Sequence, residues 1–71
     1  SFREDAFFIR FKAAHQLAFK SVIWKQDARI KSALSYFSTF ERAYSRSEKF
    51  VEAQVLASEL EELLKTLQAK S

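Results

Sequence analysis

The 71-residue chain contains no Gly, Pro, Cys or Met. Without Gly and Pro it lacks the residues that most readily end a helix or form a sharp turn. The same absences exclude a Gly-rich phosphate loop, a thiolate metal site, a cysteine nucleophile and a disulfide. No run of 18 apolar residues and no basic-then-apolar leader occurs, so neither a membrane span nor a signal peptide is expected. The absence of Met predicts a segment excised from a longer protein.

What is present points to helix throughout. Hydrophobic residues make up 48% and charged residues 30%, a balance of folded domains rather than disordered chains. A domain of this size buries only roughly 60% of the surface its unfolded chain exposes, so the eight Phe residues must supply much of the core.

A first helix is predicted over about residues 3–25, where Phe7, Phe8, Phe11, Ala14, His15, Ala18, Phe19 and Val22 recur at three- and four-residue steps. Asp27 is the best available N-cap for a second helix over 28–45, with a stripe of Ile30, Ala33, Leu34, Phe37, Phe40 and Tyr44. Ser45 followed by Glu48 fits a capping box, predicting a third helix over 46–69. Its seam is Ala53, Leu56, Ala57, Leu60, Leu63, Leu64 and Leu67.

The expected fold is therefore a single all-α domain, a compact three-helix up-down-up bundle. The alternative is a long helical hairpin that dimerises, because nothing between Lys25 and Arg29 forbids a continuous helix. That rod would be about 66 Å long against about 33 Å for the third helix, leaving half its apolar face for another chain to cover.

Catalytic chemistry finds little material. His15 is the only imidazole and has no His, Cys or carboxylate beside it at helical spacing, which predicts a core-edge histidine with one hydrogen-bond partner. Glu59 and Glu62 are expected to face solvent with Lys65 one turn on, as surface pairs rather than an acid and base. No metal, cofactor or enzymatic activity is expected.

Charge is uneven: residues 1–50 hold ten Lys and Arg against five Asp and Glu, and residues 51–71 hold two against four. Arg10, Lys12, Lys20 and Lys25 spread around the first helix, which reads as a solvated face more than a phosphate-binding track.

The strongest functional feature is a second apolar stripe on the first helix, Phe2, Ala6, Ile9, Ala13, Leu17 and Trp24, bordered by Arg10 and Lys20. A bundle of three normally needs one apolar face per helix, so the second is a candidate interface with Trp24 as its anchor; the alternative is a central first helix that touches both others and buries both stripes. Val51 and Val55, off the seam of the third helix, form a smaller candidate.

Ala33-Leu34-Ser35-Tyr36-Phe37 loosely resembles the Ala-Leu-x-x-aromatic start of the second helix in microtubule-interacting-and-transport domains. That likeness implies a three-helix module that binds helical peptides in a groove. It covers five residues, lacks the Gly-Asn-Tyr type turn usual before that helix, and assigns no family membership.

The function expected is a non-catalytic protein-interaction or assembly module that binds a partner helix or itself through the second stripe. The alternative is a small basic nucleic-acid-associated domain.

Overall fold

The computed structural model describes residues 2–69 and contains three helices: α1 (Phe2–Lys20), α2 (Ile23–Tyr44) and α3 (Phe50–Ala69). Cross-helix pairs define the topology. Phe7 meets Tyr36 edge-on, Phe8 meets Phe40 and Phe11 meets Phe37, so the start of α1 lies against the end of α2 and the two run antiparallel. Phe37 stacks on Phe50, making α3 antiparallel to α2. Lys49 reaches Asp5, Lys12 reaches Glu52 and His15 reaches Glu59, so α1 and α3 run parallel. All three pairs of helices touch, in a body of 40 × 16 × 15 Å. This is the up-down-up bundle expected; the long hairpin does not form.

The core consists of Phe8, Phe11 and Ala18 from α1, Ile30, Ala33 and Phe40 from α2, and Ala53, Ala57 and Leu60 from α3. Four of the nine are Ala, which lets helix axes approach closely while the large side chains fill the space between. Leu34, Phe37, Tyr44, Leu56, Leu63, Leu64 and Leu67 pack half-buried around this centre, as does Phe50, which lies outside the predicted seam.

A chain without Gly ends its helices with side chains. At the α1 terminus Ser21 Oγ donates to the Leu17 carbonyl (2.6 Å) and Gln26 Nε2 donates to the Ala18 carbonyl (3.1 Å). These satisfy two of the four carbonyls that a helix end leaves without partners. Helix α1 stops five residues earlier than predicted. Its end coincides with the back-bond from Ser21 and with two consecutive β-branched residues, Val22 and Ile23, which favour helix weakly. Val22 takes extended backbone (φ −61°, ψ 151°) and is the N-cap of α2 without a side-chain cap bond. Val22, predicted in the core, is exposed for this reason: the helix that would have carried its phase has ended. Phe19, also predicted in the core, is still within α1 but is 44% exposed, with its ring against His15.

Asp27 is not the N-cap; it sits inside α2 and pairs with Lys31 one turn on (3.1 Å). Nor does the Ser45–Glu48 capping box form. Ser45 closes α2 in right-handed helical backbone, and the next turn is organised by Ser47, whose Oγ accepts from the Lys49 amide (3.1 Å) and donates to Glu4 Oε2 (2.9 Å). No described residue has positive φ. Both connections are thus built from backbone that any L-residue adopts.

Candidate functional site

At about 100° per residue, Phe8, Phe11 and Ala18 define the inner face of α1. Ile9 and Phe2 then fall nearly opposite, while Arg3, Arg10 and Leu17 fall on the flank toward α2. Exposure follows: Phe2 is 87% exposed, Ile9 65% and Leu17 47%. The second stripe is an outer surface and not a second core contact.

The stripe does not extend to Trp24 along α1. Trp24 lies in the first turn of α2, 78% exposed, and lines the same groove as Leu17 on the other side of the Ser21–Val22 break. The two helices enclose an open groove of about 700 Å³. Ala13, Ala14 and Leu17 from α1 and Trp24, Ala28 and Tyr36 from α2 supply its apolar surface. Arg10, Lys25 and Arg29 line the same groove, and none of the three has an ion pair among the described residues. Arg10 also lines a second depression between the same helices, toward the α1 start, where Phe2, Arg3 and Ala6 face Thr39 and Ala43. Together they make one track along the α1/α2 face.

Of the residues singled out by sequence, Ala13, Leu17, Trp24 and Arg10 come together here, and Phe2 and Ala6 continue the track. Ile9 lies farther round α1, and Lys20 is exposed at the helix end, outside both depressions. Lys25, Arg29 and Tyr36 are the additions that sequence reasoning missed. Their signal is a spacing of four and seven residues along one flank of α2, legible only once the pairing of α1 with α2 is known.

The α1/α3 seam has the opposite character, because its charges are used internally. Lys49 Nζ lies 2.7 Å from Asp5 and 3.6 Å from Glu4, and Lys12 lies 3.4 Å from Glu52 and over the Phe8 ring. The hydrogen bond to Lys49 holds the Asp5 carboxyl below its ordinary value, and the hydrogen bond to Asp5 raises Lys49. His15 packs on Phe19 with its Nε2 2.8 Å from Glu59 Oε1, the single polar partner expected of a core-edge histidine. Glu59 therefore faces His15 rather than solvent alone; Glu62 keeps Lys65 as its neighbour (3.8 Å).

On the third side, Val51, Val55 and Phe37 line a shallow groove between α2 and α3 together with Glu41 and Glu61. Val51 is 70% exposed. Among the described residues no group of three or more His, Cys, Asp or Glu could hold a metal ion, and no helix is long and apolar enough to cross a membrane.

Compared with protein-family models, curated proteins and solved structures, the chain matches none. The five residues that resemble a microtubule-interacting-and-transport helix start lie eleven residues into α2, not at its beginning.

Proposed function

We propose that this chain is a protein-interaction module whose α1/α2 groove receives a helical segment. The observation that carries the reading is that Leu17 and Trp24, both exposed, line one groove together with Ala13, Ala14 and Ala28. Small residues let a partner helix approach to about 8–10 Å, and an exposed aromatic at the rim is a typical binding anchor. Exposed apolar side chains grouped in this way mark interaction surfaces more often than isolated ones do.

Site-specific photo-crosslinking tests it. A photoreactive side chain at Leu17 should capture helical protein segments, and the capture should be lost with Trp24→Ser. The same group at Ser38, on the exposed side of α2 away from the groove, should capture none. Equal yields at Leu17 and Ser38 would defeat the reading.

A second reading has one observation in its favour: Arg10, Lys25 and Arg29, scattered in sequence, line one groove. A nucleic-acid backbone could use these cations but has no use for Ile9 and Phe2 nearby. Binding to a single-stranded oligonucleotide that falls steeply with salt and is unaffected by Leu17→Ser would favour it over a helix.

A further inference from the structure

We infer that the occupant of the α1/α2 groove is the outer ridge of α3 from a second copy of the chain, so that copies associate head to tail. The inference rests on the groove reading above and adds the identity of the helix that fills it.

Helices α1 and α2 form a two-helix layer with a groove on each side, and α3 fills one of them through Ala53, Ala57 and Leu60. The other is lined by Ala13, Ala14 and Ala28, and none of the three helices fills it. A ridge of α3 is equally unpartnered: Val51, Val55, Ser58 and Glu62, spaced four, three and four residues apart, line up on the helix side opposite the core. The ridge is about 17 Å long, and the track from Phe2 to Leu17 about 23 Å, so the ridge fits within it.

Arg10, Lys25 and Arg29 line the groove without ion partners among the described residues. The α3 ridge is bordered by Glu61 on its α2 side, joined there by Glu41, and by Glu52 and Glu59 on its α1 side. Glu41 and Glu61 have no ion pair among the described residues. A symmetric pairing of two grooves would oppose Arg10, Lys25 and Arg29 to their own copies, and a pairing of two ridges would oppose their carboxylates. Like charges placed face to face suppress both arrangements, whereas ridge into groove joins opposite signs around an apolar centre of Val51, Val55, Leu17 and Trp24.

Such a contact uses different surfaces on the two copies. Unless the rotation between copies closes a ring, each added copy leaves one groove and one ridge free, and assembly continues.

Sedimentation of the 71-residue chain over a concentration series up to about 1 mM tests this, since weaker association has little meaning. The expected result is an average mass that keeps rising past the dimer at low salt and falls back toward the monomer at high salt. The groove variant Arg10→Gln/Trp24→Ser/Arg29→Gln and the ridge variant Val51→Ser/Val55→Ser/Glu61→Gln should each be monomeric. Mixed, they should form a one-to-one complex that grows no further, because each retains the surface the other lacks. If the triple groove variant loses helicity, Arg10→Gln/Arg29→Gln removes the charges alone and should still lower the average mass at low salt.

A chain that stays monomeric throughout, a plateau at dimer, or variants that assemble like the parent would each overturn the inference. A monomeric chain that still gives Leu17 crosslinks to helices of other proteins would overturn self-association and leave the groove reading standing.

Discussion

Truncating Phe11 to Ala should remove most of this domain's stability. Phe11 is fully buried, central to α1, and its ring lies 5.8 Å from Phe37. A buried Phe hides at least about 150 Å², which at about 25 cal/mol per Å² corresponds to about 4 kcal/mol, before any specific term for the ring pair. The surrounding helices can collapse only partly into the void, so about 3–5 kcal/mol is the expected loss. At about 0.05–0.15 kcal/mol per residue, a chain of this length has about 4–10 kcal/mol in total.

The assay is thermal and urea unfolding followed by far-ultraviolet circular dichroism, since Trp24 is too exposed to report on the core by fluorescence. Each kcal/mol shifts the midpoint of a domain this small by about 4–8 °C, so a fall of more than about 12 °C is expected. Phe11→Leu, which keeps most of the volume, gives a graded intermediate should the Ala variant not fold. Ile9→Ala, on the exposed side of the same helix, should change stability by no more than about 0.5 kcal/mol. If Phe11→Ala loses no more than Ile9→Ala does, the assignment of faces on α1 is wrong.

Other consequences can be measured in the same way. Val22→Ser should raise the midpoint, adding about 0.5–1 kcal/mol, because the N-cap of α2 is already in capping backbone geometry and lacks only the side-chain acceptor. Gln26→Leu should cost about 1 kcal/mol by leaving the Ala18 carbonyl without its donor, and Gln26→Glu should not restore it. Acid titration should show loss of the Asp5 contribution. The folded pKa lies below the ordinary value, so the contribution is present above that value and disappears as pH falls through the folded one. Lys49, raised by Asp5, has the opposite dependence, and its contribution fades as pH rises through its folded pKa. Asp5→Asn should flatten both limbs; an unchanged profile would show that the pair has no thermodynamic effect.

The inner faces were legible because they repeat. Ile30, Ala33 and Phe40, and Ala53, Ala57 and Leu60, occupy positions that helical spacing alone picks out, and all six are buried. Boundaries were less legible, because capping propensity contributes only about 1 kcal/mol and tertiary packing decides against it. Asp27 and the Ser45–Glu48 pair carry the right chemistry, yet Val22 is the N-cap of α2 and Ser47 organises the turn before α3. The error at the first boundary carried into the candidate site. A helix running to residue 25 would set Trp24 seven residues beyond Leu17 on α1, whereas the break puts Trp24 at the start of α2, lining the same groove as Leu17. The basic groove was not legible at all. Arg10 and Arg29 come together only through the register of α1 against α2, which the Phe7–Tyr36 and Phe11–Phe37 pairs set.

The smallness of the core connects the fold to the proposed assembly. Ala at four of the nine buried positions brings the helices close but contributes little apolar area, so burial rests on a few large side chains. A short three-helix layer cannot cover both sides of α1 and α2, and Leu17, Trp24, Val51 and Val55 remain exposed as a result. Anything that binds the folded bundle and not the unfolded chain stabilises it by mass action, with an effect that grows with its concentration. For a fourth helix in the empty groove, that gain falls on a surface that the three helices leave uncovered. If the helix comes from another copy, melting temperature must rise with protein concentration. The rise must also vanish in the ridge variant, which leaves the core untouched. Binding of this kind and stability of the bundle are then two readings of one equilibrium, because the residues that would meet a partner are those the three helices are too few to bury.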